Sequence, residues 1–125
     1  MSINKKLKIL IAEDEEAAIF FLKIVLEPIT RELVIAKNGT EVVALAKQNS
    51  DIDLILMDIK MPEMNGYEAT RKIREFNKEI IIIAQTAYAI IGDREKALEA
   101  GCNDHITKPI KDDHLIEMIN LHLSS

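Results

Sequence analysis

The run Ile52-Asp53-Leu54-Ile55-Leu56-Met57-Asp58 is almost wholly apolar up to its last residue, and a turn follows at Met61-Pro62-Glu63-Met64-Asn65-Gly66. A buried strand that delivers one carboxylate to its carboxyl end, beside a loop, is how open α/β sheets present reactive groups. A second short apolar run, Leu7-Lys8-Ile9-Leu10-Ile11-Ala12, ends in Glu13-Asp14. Two strands therefore hand acids toward one crevice. Like charges brought together are costly, so the arrangement calls for a cation, a proton or a chemical purpose.

Outward from these two runs, strand and helix patterns alternate along the whole chain. Glu15–Leu26 is too long for a strand and reads as a helix that Pro28 ends. Leu33–Ala36 reads as a strand, Asn38-Gly39-Thr40 as a turn and Glu41–Gln48 as a helix. Leu54–Met57 is the strand that leads to Asp58. Gly66–Phe76 reads as a helix with Tyr67, Ala69, Ile73 and Phe76 facing inward. Ile80–Ala84 is β-branched nearly throughout and is the most strand-like stretch of all. Asp93–Ala100 is a helix closed by Gly101, a natural left-handed cap. His105–Thr107 is a short strand, and Asp112–Leu123 a last helix whose acidic start suits the helix dipole. Such alternation implies βαβ units and a parallel sheet covered by helices on both faces. Uninterrupted apolar runs in four strands fit a sheet buried on both sides.

Composition narrows the function classes. The chain has 125 residues, 48% of them hydrophobic, enough for one domain with one core and too many for a disordered chain. A net charge of -5 speaks against direct nucleic-acid binding, which needs a basic face. The lone Cys102 excludes an internal disulfide and fits a reducing cytoplasm. Residues 1–6 read as a polar tail rather than a signal peptide, with the domain expected over residues 7–123, and no apolar stretch approaches membrane-span length.

In a sheet of this kind the strand carboxyl ends open onto one edge. Taken in order they supply Glu13 and Asp14, Asp58, Thr86 and Lys108. Three carboxylates without histidine or cysteine favour a hard, oxygen-loving cation, and Mg²⁺ suits best because it takes one or two carboxylates and leaves positions for phosphate oxygens. Carboxylates can act as nucleophiles that form aspartyl-phosphates. Phosphoryl transfer needs mostly positioning and charge neutralisation, which Mg²⁺, Lys108 and the Thr86 hydroxyl would supply.

At this point the chain resembles the receiver domain of two-component phosphorelays, the response regulator family, over about residues 7–123. The resemblance is carried by Ile11-Ala12-Glu13-Asp14-Glu15, by Leu56-Met57-Asp58-Ile59-Lys60-Met61-Pro62 with Gly66, by Gln85-Thr86-Ala87 and by Thr107-Lys108-Pro109, all in order and at the family's spacing. It implies a doubly wound, flavodoxin-like three-layer fold with a five-stranded parallel sheet of order 2-1-3-4-5. It also implies Asp58 as phosphoacceptor, Asp14 as a direct Mg²⁺ ligand, Glu13 as a ligand through water, and the Lys60 carbonyl as a further ligand. Lys108 would pair with Asp58 and then with the phosphoryl group. Thr86 and the Ala87 amide would bond phosphoryl oxygens, and the Lys108-Pro109 peptide would be cis. The implied partner is a histidine kinase or histidine phosphotransfer domain, and some segments are most like those of hybrid sensor kinases.

Three positions depart from the family pattern or tune it. His105 stands where an aromatic switch residue is usual, which leaves three outcomes: a weakened switch, a pH-sensitive one, or no dependence on this ring. Lys60 and Tyr88 occupy the positions that set phosphoryl lifetime, and neither is an obvious base for activating water, so slow self-dephosphorylation is expected. On the first helix, Ala18, Phe21, Leu22 and Val25 are expected to meet the sheet, while Ala17, Phe20 and Ile24 form an adjacent stripe suited to docking a phosphodonor helix. Read singly, each residue has a plainer role: Asp58 a loop cap, Glu13-Asp14 a helix start, Thr86 a strand-end hydroxyl, Lys108 a surface lysine, Cys102 a small buried hydrophobe, His114 and His122 exposed. Competing functions are a Mg²⁺-dependent phosphohydrolase, which usually needs a second acid where Lys60 stands, a flavin carrier, whose phosphate the acidic crevice would repel, and a degenerate receiver serving as a scaffold.

Overall fold

The structure is a computed structural model and describes residues 5–87 and 92–123. Five strands, β1 (Leu7–Ala12), β2 (Thr30–Ala36), β3 (Leu54–Asp58), β4 (Ile81–Thr86) and β5 (Asp104–Thr107), alternate with five helices, α1 (Glu16–Leu26), α2 (Gly39–Gln48), α3 (Gly66–Arg74), α4 (Asp93–Ala100) and α5 (Asp112–Leu123). All neighbouring strands pair in parallel, in the order β2-β1-β3-β4-β5. This is the doubly wound, flavodoxin-like sheet that the resemblance implies.

Alternation along the strands sends residues to two separate cores. Leu7, Ile9 and Ile11 of β1 pack with Leu54 and Leu56 of β3 against Leu22 and Leu26 of α1 and Leu115 and Ile119 of α5. Leu10, Ala12, Ile55 and Met57 face the other way, against Val42 and Ala46 of α2, Ala69 and Ile73 of α3, and Ala97 of α4. Burial on both faces is why β1 and β3 read as unbroken apolar runs. The exception, Lys8, is buried too, and its ammonium donates to Asn49 Oδ1 and Asp51 Oδ1 at 3.0 Å each.

Local chemistry sets the helix ends. Asn38 and Asn65 accept the Glu41 and Glu68 amides at 2.8 and 3.0 Å and cap α2 and α3. Asn38 is therefore a cap that starts α2 at Gly39, two residues before the expected Glu41, and not part of a separate turn. Gly101 closes α4 at φ 114°, and the next amide, Cys102, reaches back to the Ala97 carbonyl at 2.9 Å. Pro28 sits in a 3-10 turn, Glu27–Ile29, that ends α1.

Several expectations are corrected. On α1 the buried residues are Ile19, Leu22 and Leu26, whereas Phe21 is 37% exposed. Apolar side chains surround most of this helix, so spacing alone left its inward direction open by one position. Phe76 lies past the end of α3, 40% exposed, with the Lys47 ammonium 5.9 Å from its ring centre. β2 begins at Thr30, three residues before the expected Leu33; Arg31 and Glu32 are exposed at the sheet edge, where apolar patterning is absent. His122 is not exposed: its side chain is 21% accessible and its Nε2 lies 2.9 Å from Asp104 Oδ2.

Asp104 is a structural junction. Its carboxylate also accepts the His105 amide at 2.8 Å and pairs with Arg94 at 3.2 Å, which links α4, β5 and α5. Burial would raise its pKa, but the bonds from His122 and the His105 amide outweigh that and hold it below the ordinary carboxylate range. Such a group adds stability above its unfolded pKa, and the contribution is lost as pH falls through the lowered native value. Asp104→Asn should therefore cost about 1 kcal/mol near neutral pH, with a cost that shrinks toward zero in acid, as read from urea unfolding of both proteins across a pH series.

Candidate functional site

The strand order places β1 beside β3, so the residues at their carboxyl ends become neighbours. Glu13 is held in line by its amide, which donates to the Ala36 carbonyl at 2.9 Å and prolongs the β1–β2 pairing. Its side chain is 1% exposed and accepts the Glu15 amide at 3.2 Å. Asp58, the last residue of β3, is 5% exposed and accepts the Lys60 amide on Oδ1 at 3.2 Å. Lys108 follows β5, tied down by its own amide to the Thr86 carbonyl at 2.7 Å. Its ammonium lies 3.2 Å from Glu13 Oε1 and 3.3 Å from Asp58 Oδ2. The Lys108-Pro109 peptide is cis, as expected.

One ammonium thus serves two nearly buried carboxylates, and a third, the exposed Asp14, stands beside them. Glu13, Asp14 and Asp58 each offer a carboxylate oxygen, and all three oxygens lie within 4.8 Å of one another. Burial, and then the charge of Asp58, push the Glu13 carboxyl above its ordinary pKa despite Lys108. Burial draws Lys108 down, but Asp58 and Glu13 together outweigh it and hold the ammonium above its ordinary value. Both shifts express one condition: the crevice has more negative charge than Lys108 balances. An all-oxygen donor set with this excess fits a small divalent cation such as Mg²⁺, and the three carboxylates are the residues that would hold it.

The other expected residues are placed around this centre. Thr86 ends β4, 3% exposed, and its Oγ1 has no hydrogen-bond partner among the described residues. Ala87 follows, half-buried. Lys60 is exposed in the loop after β3, which Gly66 crosses so closely that a Cβ there would come within 2.5 Å of the Asp58 carbonyl oxygen. His105 is half-buried on β5, in register with Ala84, and its Nδ1 is buried without a partner among the described residues. On α1, Ala17 is exposed, with Phe20 at 66% and Ile24 at 59%. Tyr88 lies outside the described residues. Sequence reasoning passed over Gln85 as a site residue, although it is 1% exposed and stands in register with Asp58. Its polarity inside an otherwise apolar β-branched strand was the available signal.

A family model for the response regulator receiver domain matches residues 9–120. The chain belongs to the receiver domain family. Among its curated relatives, hybrid signal transduction histidine kinase I of Dictyostelium discoideum is 40% identical over 124 residues, 93% of this chain but 7% of that protein. The chain thus spans a small part of such kinases. By contrast, it matches 94% of the polar-differentiation response regulator DivK of Brucella anthropi at 36% identity. Two solved receivers, each 34% identical, share the fold closely. One is the receiver domain of Ssk1 from Saccharomyces cerevisiae, crystallised with the histidine phosphotransfer protein Ypd1, with a TM-score of 0.88 over 95% of this chain and 90% of that one. The other is the receiver of the sensor histidine kinase PA1611 from Pseudomonas aeruginosa, with magnesium in its active-site cleft, with a TM-score of 0.86 over 96% and 99%. Among the described residues no helix is long and apolar enough to cross a membrane.

The shared ammonium has an energetic consequence. Removing it leaves two buried carboxylates uncompensated. Lys108→Met should destabilise the receiver by about 1–3 kcal/mol at neutral pH without added divalent cation, and adding Glu13→Gln should recover part of that loss. A double-mutant cycle by chemical denaturation measures the coupling; strictly additive costs would remove it.

Proposed function

We propose that this receiver, residues 7–123, accepts a phosphoryl group on Asp58 from the phosphohistidine of a histidine kinase or histidine phosphotransfer domain, and changes conformation in response. The observation that supports this most directly is the Glu13–Asp14–Asp58 crevice with Lys108 bridging two of its carboxylates. In the transfer, a carboxylate oxygen of Asp58 forms a bond to phosphorus. The phosphorus–nitrogen bond to the donor imidazole breaks, and its electron pair leaves with that nitrogen. Asp14, Asp58 and the Lys60 carbonyl, with Glu13 through water, would hold Mg²⁺, which would neutralise phosphoryl charge. Lys108 exchanges its contact with the Asp58 carboxylate for one with a phosphoryl oxygen. The Thr86 hydroxyl, without a partner among the described residues, and the Ala87 amide meet the other oxygens.

The chemistry is limited to the domain's own phosphorylation and dephosphorylation, and the setting is the cytoplasm, where a lone thiol such as Cys102 stays reduced. Ala17, Phe20 and Ile24 form the donor's seat on α1. Thr86 is the moving part of the switch and His105 its neighbour on β5. Half-burial and an Nδ1 without a partner among the described residues suit the His105 ring to taking a new one, and its rotamer with and without phosphate reports whether it participates.

Incubation with acetyl phosphate and Mg²⁺ should add one phosphoryl mass to the intact protein and none to Asp58→Asn. No addition to the parent would sink the assignment. Phosphate, once added, should persist well beyond seconds in Mg²⁺, since Lys60 and Tyr88 offer no base for water; decay within seconds would contradict this. Phe20→Asp should slow transfer from a phosphorylated partner by about 10-fold, the worth of one buried interface anchor, and slow phosphorylation by acetyl phosphate far less. Equal slowing of both would indicate a folding defect.

A further inference from the structure

Gly39 is the buried first residue of α2, and its own backbone does not ask for glycine: its φ lies outside the left-handed region. Within a helix alanine is more favourable than glycine. What excludes a side chain is the loop after β3. A Cβ on Gly39 would lie 2.1 Å from the Met64 carbonyl oxygen and 2.6 Å from Met64 Cβ. Neither atom moves with a change of rotamer, so no side-chain adjustment makes room. The loop therefore rests on α2 through a bare α-carbon. Elsewhere the loop is tied by its own backbone. The Ile59 amide donates to the Gln85 carbonyl at 3.2 Å, the Gly66 amide to the Ile59 carbonyl at 2.9 Å, and the Met64 amide to the Pro62 carbonyl at 2.8 Å. Between these ties Glu63 takes φ 71°, unusual for a residue with a side chain. Such a conformation persists only where its surroundings impose it. On the α2 side the surrounding is Gly39, which stops Met64, the residue next to Glu63.

We propose that Gly39 is a positioning residue for the acidic crevice. By letting the loop sit down on α2, it sets where the Lys60 backbone lies relative to Asp58. The inference rests on the metal site of the reading above, in which the Lys60 carbonyl is a ligand. Lys60 belongs to this same loop, and its amide already donates to Asp58 Oδ1 at 3.2 Å, so a shift of the loop is felt at the acceptor carboxylate as well. Gly66 fixes the loop at the α3 end, where a Cβ would meet the Asp58 carbonyl oxygen at 2.5 Å. Gly39 fixes it from the side, and Lys60 lies in the stretch that leads from β3 to that stop. The consequence is a matter of cation size. Mg²⁺ demands short bonds in a near-ideal octahedron, whereas Ca²⁺ accepts longer bonds and irregular shells. A loop lifted off α2 should therefore cost Mg²⁺ more than Ca²⁺, although both use the same carboxylates. General damage to the domain has no reason to tell the two cations apart.

Mg²⁺ and Ca²⁺ are titrated separately into the ¹⁵N-labelled full chain, without phosphate, and affinities are read from the backbone amide signals. Gly39→Ala should lose about 10-fold in Mg²⁺ affinity, as groups that support metal ligands do, and clearly less in Ca²⁺ affinity. Gly92→Ala is the control for backbone strain. Gly92 has φ 95° and no atom within 4 Å of an added Cβ, so alanine there strains the chain without touching the loop and should leave both affinities as in the parent. Met64→Gly adds no atom and loosens the same contact from the loop side. It should weaken Mg²⁺ more than Ca²⁺ as well, and it decides the matter if Gly39→Ala does not fold. Unchanged Mg²⁺ binding in these two loop variants, an equal loss for both cations, or a parent that binds no Mg²⁺ would overturn the proposal. Acetyl phosphate phosphorylation of the parent is run alongside. A selective loss of Mg²⁺ in the variants supports the role of Gly39 even if the parent takes no phosphate, which would sink only the phosphoacceptor reading. Normal phosphorylation of the parent with unselective variants would sink only the role of Gly39.

Discussion

Glu13 and Asp58 both lean on the ammonium of Lys108, at 3.2 and 3.3 Å, and the three residues stand at the carboxyl ends of three different strands. β1 and β3 are adjacent, so their terminal acids meet without effort. β5 is two strands from β3, a distance of about 10 Å at the usual strand spacing. A long, flexible side chain is what spans the end of β4 to reach both acids, and lysine supplies it along with the charge. The contact therefore exists only if the sheet order and the registers of three strand pairs are all correct. It is a tertiary interaction that depends on almost every other feature of the fold.

The apolar layers carry the stability that this polar edge lacks. β1 and β3 are buried on both faces and are clamped by two independent cores, one under α1 and α5, the other under α2, α3 and α4. That rigidity permits a crowded set of charges and two polar side chains, Gln85 and Thr86, unpaired among the described residues, at the sheet's carboxyl edge. A fold holds such locally unfavourable groups where function requires them and compensates elsewhere. The loop after β3 shows how tight the coupling is. Gly66 passes so near the Asp58 carbonyl that only hydrogen fits at its α-carbon, so the start of α3 is positioned by β3 itself.

Much of this was legible in the sequence because it is local. The unbroken apolar runs of β1, β3 and β4 identify a doubly covered parallel sheet, and the acids at their ends are placed by the chain itself. The helix boundaries at Pro28 and Gly101 follow from backbone chemistry that no distant contact alters. What was not legible depends on packing from elsewhere. The inward side of α1 could not be chosen between Phe21 and Ile19, since apolar residues lie on both sides. The burial of His122 needed Asp104, eighteen residues earlier, and the isolation of the Gln85 amide needed α1 and the β5–α5 loop in place. Spacing tells which residues share an edge, but not which of them finds a partner.

The His122–Asp104 contact reaches into the last turn of α5 and, through Arg94, to α4. The end of that helix is therefore integral to the folded unit and does not fray loosely from it. A segment joined after Leu123 would inherit a defined direction from the sheet edge. Any rearrangement of β5 would be felt at the junction as a rotation of whatever is attached. In mechanical terms the contact is a rigid coupling at the outlet of the domain, and a linker grafted upstream of His122 would disconnect it.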